Sequence, residues 1–325
     1  MRRSNDVGAL VAAARDGDPR AVARLISLIE AGTESTAAHH KLREVAAALT
    51  PHTGTAQVIG LTGSPGVGKS TTTNELVRAF RSAGKRVGVL AVDPSSPFSG
   101  GAILGDRVRM QDHATDPGVY IRSMSSRGHL GGLAAATPQA VRVLDGAGCD
   151  IVLVETVGVG QAEVEVASLA DTVMVLLAPG MGDAIQAVKA GILEIADVFV
   201  VNKADRDGAN ATYSDIQGMI GLADRGPGEW RPQVVRTVAA RGEGIDDMIA
   251  AIGKHTTWLA EHDELRVRRE TRASAEIEAI ALGTLRSRIG SLRDGTALPT
   301  LASRVAGGQL DPYAAAAELL AGLDR

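Results

Sequence analysis

Seven short apolar runs alternate with helix-like stretches between about residues 55 and 255. They are Val58–Thr62, Val87–Val92, Val119–Arg122, Ile151–Glu155, Thr172–Leu177, Val198–Asn202 and Val234–Val238. Each run is continuously hydrophobic instead of alternating, which requires cover on both faces. Strands buried on both sides and separated by helices fold into few architectures. The pattern predicts an α/β domain with a mainly parallel, doubly wound sheet. Ligands of such sheets bind at the carboxyl ends of the strands, and every motif described below lies at one of those ends. Aromatic residues make up only 2% of the chain, so this core must be built from Ala, Val, Leu and Ile.

The flanking segments read differently. Residues 1–50 form an N-terminal helical arm, in which Asp18-Pro19 is an N-cap and first-turn pair. Val22, Leu25, Ile26 and Ile29 follow it at helical spacing. Thr50-Pro51-His52-Thr53-Gly54 breaks that pattern and sets a boundary, so residues 51–255 are expected to form the α/β domain. Residues 256–325 read as a C-terminal helical extension, opening with dense charge at Glu261, Asp263, Glu264, Arg266, Arg268, Arg269, Glu270 and Arg272. Farther on, Leu282, Leu285, Ile289 and Leu292 have 3-4-3 spacing, which suits either an interface helix or one packed on its own domain. Gly283 and Gly290 weaken that helix.

A net charge of −4 gives no electrostatic reason to expect nucleic acid or an anionic membrane as partner. Cys149 is the single cysteine, which excludes an internal disulfide and a Cys-rich metal site. Met1-Arg2-Arg3-Ser4-Asn5-Asp6 is not followed by an apolar signal-like run, and no apolar run approaches membrane-spanning length. The cytoplasm is the expected compartment.

Gly63-Ser64-Pro65-Gly66-Val67-Gly68-Lys69-Ser70 fits GxxxxGK[ST], the phosphate loop of nucleotide hydrolases, and makes the fold a P-loop NTPase. Its glycines let successive backbone N–H groups point at one anion. Lys69 would reach the β- and γ-phosphates, and the Ser70 hydroxyl would sit on Mg²⁺. The apolar run before the loop and the helix-like stretch after it, from Ser70 to about Ala83, supply the strand and the positive helix end that this chemistry needs.

Asn202-Lys203-Ala204-Asp205 follows the sixth run and matches the NKxD element of guanine-specific proteins. The Asp205 carboxylate can accept from guanine N1–H and the exocyclic amine together, whereas adenine would leave it unpaired. Lys203 would lie along the base and Asn202 would brace the loop. Ala239 and Ala240, at the end of the next strand, would offer backbone N–H groups to guanine O6. The nucleotide is expected to be GTP.

Asp93 ends the second strand and Glu155 the fourth, where carboxylates converge on Mg²⁺ directly or through water. Glu155-Thr156-Val157-Gly158 stands where many GTPases have Asp-x-x-Gly, and the Gly158 amide would sense the γ-phosphate. The polar, Gly-rich stretch from Gly100 to Arg109 is a candidate switch. Within it Asp106 is either a further metal contact of a closed state or a solvated side chain. No residue is identified as positioning the attacking water: Val159 is apolar and Gln161 is the nearest amide. Slow intrinsic hydrolysis, completed or timed by a partner, is the expectation.

Together, Gly63 to Thr71, Val92-Asp93-Pro94-Ser95-Ser96, Gly105 to Met110, Glu155 to Gln161 and Asn202 to Asp205 resemble the methylmalonyl-CoA mutase-associated GTPases of the MeaB or ArgK type. The resemblance spans nearly the whole chain, and the run Glu155–Gln161 is particularly family-specific. It implies a GTPase chaperone that couples GTP hydrolysis to GDP with loading, protection or removal of cobalamin in an adenosylcobalamin-dependent methylmalonyl-CoA mutase. It further implies a homodimer joined through C-terminal helices. By position, Lys69, Ser70, Asp93, Asp106 and Glu155 become the phosphate and Mg²⁺ residues and Asp205 the base reader. A mobile segment from Pro179 through Asp183 to Lys189 would report the nucleotide state to the mutase.

Rival readings are weaker. A nickel-insertion GTPase needs clustered Cys and His near the nucleotide, and here His39-His40 stand isolated in the arm. A membrane-partitioning ATPase carries an extra Lys where this chain has Ser64, and lacks NKxD. A kinase or ATPase of a transport system would need an acceptor site and a base near the γ-phosphate, and neither is identifiable. A module that holds GTP without turnover remains open, because the water-positioning residue is missing.

Overall fold

The computed structural model describes residues 6–34, 39–93, 113, 115–125, 136–156, 162–180, 192–223, 225–226, 228–293 and 297–321. Among the described residues seven strands, all parallel, form one sheet in the order β3-β2-β4-β1-β5-β6-β7. They are β1 (Gln57–Thr62), β2 (Val87–Asp93), β3 (Val119–Ser125), β4 (Ile151–Thr156), β5 (Thr172–Leu177), β6 (Val198–Asn202) and β7 (Gln233–Thr237). Every residue of β4, β5 and β6 is buried, as continuous apolar runs require. The parallel sheet read from the sequence is therefore present.

Most strand ends fall within one residue of the sequence expectation, and β3 departs furthest from it. β3 runs three residues past Arg122, because Ser123 and Ser125 continue the ladder opposite Ala91 and Asp93. Polar side chains are tolerated there, since β3 is an edge strand with half-buried residues. β7 ends one residue early, at Thr237, because Val238 leaves the ladder to bridge Glu243.

The α-helices α1 (Val7–Arg15), α2 (Pro19–Glu34) and α3 (His39–Leu49) precede the sheet. Asp18 caps α2, its Oδ1 accepting from the Arg20 amide at 2.8 Å. Val22, Leu25, Ile26 and Ile29 are buried in the same apolar cluster as Val152 and Val154 of β4. The arm thus shares a core with one face of the sheet. Between strands lie α4 (Lys69–Ser82), α5 (Thr137–Gly146), α6 (Ala162–Leu169), α7 (Ile192–Ile195) and α8 (Ala209–Leu222). After β7 come α9 (Ile245–Glu261), α10 (Glu264–Arg293), α11 (Ala297–Ala306) and α12 (Pro312–Ala321). A second apolar cluster, with Leu76 and Val77 of α4 and Met248 and Ile252 of α9, covers the opposite face.

The chain divides into two compact units, Met1–Arg268 and Arg269–Arg325. In the first, the amino-terminal ends of β5 and β6 carry a buried charge cluster. Asp197 receives both Nη atoms of Arg268, at 2.9 and 2.8 Å, and the Val173 amide at 2.8 Å. His255 Nε2 lies 3.2 Å from the same carboxylate, without the alignment of a hydrogen bond. Burial opposes ionisation of Asp197, but His255 and Arg268 outweigh it and hold the carboxyl below its ordinary value. In the second unit Arg304 of α11 pairs with Glu318 of α12 at 2.8 Å, and Leu301 and Ala315 are buried. Leu282 and Leu285 of α10 are exposed, together with Ile277 and Ile280. The side chains of Ile289 and Leu292 lie outside the described residues. Among the described residues no helix is long and apolar enough to cross a membrane.

Candidate nucleotide site

β1 sits where the strand order changes direction, with β4 and β2 on one side and β5, β6 and β7 on the other. A crevice at the carboxyl ends opens at such a point. The residues leaving β1 are Gly63 to Gly68, and they lead directly into α4. Gly63, Gly66 and Gly68 all have positive φ, at 138°, 82° and 102°. At Gly63 a Cβ would come within 2.2 Å of the Leu176 carbonyl oxygen, so only glycine lets the loop lie against β5. Gly68 precedes the first turn of α4, and no side chain caps that helix. Its N-terminal amides are thus left for an anion. Lys69 is buried and folds back over the loop, donating to the carbonyls of Gly63 at 2.5 Å and Ser64 at 3.0 Å. Pro65, Gly66 and Thr71 are exposed, while Val67 is fully buried beneath the loop.

The base-side motif is bound to this loop directly. Asn202, only 3% exposed, donates through Nδ2 to the Val67 carbonyl at 2.8 Å. Its Oδ1 accepts from the Thr237 hydroxyl at 3.1 Å and from the Ala239 amide at 3.0 Å. Lys203 has φ of 56°, rare for a residue with a side chain, and donates to the Gly66 carbonyl at 2.6 Å. A non-glycine residue in that conformation marks a position over-determined by its surroundings. Asp205 faces Arg241 at 3.4 Å across a half-exposed gap. Glu243 raises the Arg241 pKa through a side-chain hydrogen bond, and Asp205 adds a smaller attraction. Of the two amides proposed for O6, that of Ala239 is taken by Asn202, whereas Ala240 is exposed.

On the other side of the loop, Glu155 is buried in register with Leu61. Its Oε1 accepts from Ser70 Oγ at 2.6 Å, and its Oε2 accepts from Thr73 Oγ1 at 2.8 Å. Ser70 and Glu155 are hard oxygen donors of the kind that Mg²⁺ takes, and Mg²⁺ needs only one or two carboxylates because it keeps several waters. Among the described residues no group of three or more His, Cys, Asp or Glu is placed to hold a metal. Asp93 closes β2, paired in register with Ser125. Its side chain, and the whole of Asp106, Gly158, Val159, Gln161, Asp183 and Lys189, lie outside the described residues.

The structure therefore brings together Gly63 to Thr71, Glu155, Asn202 to Asp205 and Ala239 to Ala240 at one end of the sheet. It adds three residues that sequence reading missed. Thr73 could have been found from helix periodicity, one turn after Ser70 in Lys-Ser-Thr-Thr-Thr. Thr237 depends on strand register, opposite Asn202 in the β6–β7 ladder, and no local pattern announces it. Arg241 reaches Asp205 only because of the turn after β7.

Residues 22–293 match the family described as methylmalonyl-CoA mutase-associated GTPase MeaB. The chain belongs to the MeaB family. A Pyrococcus abyssi protein with a provisional GTPase name is 46% identical over 314 residues, which cover 96% of this chain and 95% of the relative. GTPase ArgK of Escherichia coli is 37% identical over 258 residues, covering 78% of this chain and 76% of ArgK. The mouse mitochondrial methylmalonic aciduria type A homolog is 40% identical over 216 residues, covering 66% of this chain and 52% of the homolog. A crystal structure described as a LAO/AO transport system kinase superposes with a TM-score of 0.73 at 25% identity, each chain covered in full. This MeaB-family chain is thus related to proteins named as GTPases, and it has a P-loop GTPase architecture.

Proposed function

We propose that this protein binds GTP with Mg²⁺, hydrolyses it slowly to GDP and phosphate, and uses the cycle to assist an adenosylcobalamin-dependent methylmalonyl-CoA mutase. The observation that carries the nucleotide reading is the brace formed by Asn202. One side chain ties the phosphate loop at Val67 to the base-side turn at Ala239, so both halves of a guanine nucleotide pocket are set at a fixed separation.

The chemistry follows from what each group offers. The loop amides and Lys69 neutralise the β- and γ-phosphates, and Lys69 leaves the Gly63 and Ser64 carbonyls to do so. The Asp205 carboxylate accepts two guanine donors, and the Ala240 amide donates to O6. Ser70, Glu155, Asp93 and Asp106 would hold Mg²⁺, which would supply neutralisation of the phosphate charge. Gly158 would follow the γ-phosphate, and Val159 after it cannot orient water, which leaves turnover slow until a partner acts. The mutase role rests on the family's description and on the methylmalonic aciduria homolog. Exposed Ile277, Ile280, Leu282 and Leu285 on α10 support a homodimer through the C-terminal helices.

GTP and ATP turnover measured with and without such a mutase tests the reading. Faster GTP hydrolysis with the mutase is expected, and a D205N protein should lose its preference for guanine. Equal use of ATP would refute the base assignment. Phosphate transferred to another protein, without mutase stimulation, would favour a transport-system kinase instead.

A further inference from the structure

We propose that Thr73 is a positioning residue for the metal side of this site, holding Glu155 so that one carboxylate oxygen faces the Ser70 hydroxyl. The inference rests on the Mg²⁺ reading above. A threonine inside a helix ordinarily returns its hydroxyl to the carbonyl four residues back, and Thr73 Oγ1 does lie 3.1 Å from Lys69 O. That contact alone would make the hydroxyl a local feature of α4. The same oxygen, however, lies 2.8 Å from Glu155 Oε2. A hydroxyl has one proton, and the shorter contact, to a carboxylate oxygen, is the stronger of the two.

The geometry then fixes the carboxylate at both ends. Ser70 and Thr73 stand one turn apart on one face of α4, and each donates to a different oxygen of Glu155. Thr73 is fully buried and Glu155 only 5% exposed, while Ser70 is half-buried. Ser70 Oγ could offer a lone pair to a cation while its O–H still donates to Glu155 Oε1, because a hydroxyl donates and ligates at once. Thr73 keeps Oε2 and prevents the carboxylate from turning its full charge away from the ion. Partners that orient a ligand in this way commonly contribute about 10-fold or more to metal affinity.

The comparison of T73V with T73S tests this. Valine keeps the shape and loses the hydroxyl, whereas serine keeps the hydroxyl. The readout is the affinity for a fluorescent GDP analogue titrated against Mg²⁺, beside the affinity in excess EDTA and the thermal midpoint. T73V should raise the Mg²⁺ concentration for half-maximal effect roughly 10-fold, with EDTA affinity within about 2-fold of wild type. T73S should stay within about 2-fold throughout. If T73V does not fold, T73A is read in the same assay with the same expectation. A T73V or T73A protein with an unchanged Mg²⁺ dependence, whatever its thermal midpoint, overturns the proposal. A wild-type protein whose nucleotide affinity ignores Mg²⁺ overturns the metal reading and this inference with it.

Discussion

Asn202 is the side chain whose loss should cost this site most. It is buried, and its three hydrogen bonds reach the phosphate loop at Val67, β7 at Thr237 and the turn at Ala239. In Asn202→Ala the Thr237 hydroxyl can rotate to another acceptor, but the Val67 carbonyl and the Ala239 amide cannot. Val67 is fully buried and Ala239 is 1% exposed, so water does not replace the lost partner. Leaving each buried backbone group unsatisfied costs about 1–3 kcal/mol, so about 3 kcal/mol in all is a reasonable sum. For a unit of this size that lowers the thermal midpoint by roughly 6–12 °C. Asn202→Asp is the sharper variant. It keeps the volume and the acceptor for Ala239, but sets a carboxylate oxygen against the Val67 carbonyl, where the amide donates at 2.8 Å. It should be destabilised at least as much as the alanine variant. Both should bind GDP more than about 10-fold more weakly, since the loop and the base-side turn are no longer held together. Calorimetric unfolding and a GDP titration measure the two effects. A wild-type midpoint and wild-type GDP affinity for Asn202→Asp would refute the brace.

Three other outcomes are expected. Gly63→Ala places a Cβ within 2.2 Å of the Leu176 carbonyl at a φ of 138°, whereas Gly84→Ala at 76° meets nothing within 4 Å; the first should lose several kcal/mol in a denaturant melt and the second only about 1 kcal/mol. Arg268→Met leaves the buried Asp197 carboxylate with the Val173 amide and the His255 ring, and should cost about 2–3 kcal/mol, because Arg268 is itself one-third exposed. Since Asp197 is held below its ordinary value, its stabilisation is present above the unfolded carboxyl pKa and is lost as pH falls through the folded value; Arg268→Met should flatten that acid limb in melts taken below pH 4. Burial pushes the Cys149 thiol up to about 12, so an aromatic disulfide reagent at pH 8 should label it only on unfolding, and rapid labelling of the folded protein would contradict the packing around it.

The sheet was legible because its strands are apolar on both faces, a pattern that Thr172–Leu177 and Val198–Asn202 display without interruption. β3 was under-read because Ser123 and Ser125 are polar, and only their pairing with β2 makes them strand. The phosphate loop and NKxD are contiguous motifs, so local spacing reveals them. What escaped was set by register. Thr237 meets Asn202 across two strands, and Asp197 meets Arg268 from 71 residues away. Nothing local distinguishes Arg268 from the other arginines in its charged stretch. Sequence also placed Ala239 and Ala240 together as base-side donors, and only the hydrogen bond from Ala239 to Asn202 separates them.

The strand order also dictates when the pocket can exist during synthesis. β1 carries the phosphate loop and is made first, yet its two sheet neighbours are β4 and β5, so it has no ladder partner until residue 151 has been made. No hairpin can hold it meanwhile, because every pairing in the sheet is parallel. Such non-local pairing forms slowly, and a nascent chain with unpaired strand edges is exposed to aggregation. The brace from Asn202 closes later still, when the turn at Ala239 arrives. A ribosome-bound chain that stops short of that turn has the full phosphate-loop motif and no finished site. The Asn202 brace is thus complete only when β7 and the turn after it have been made.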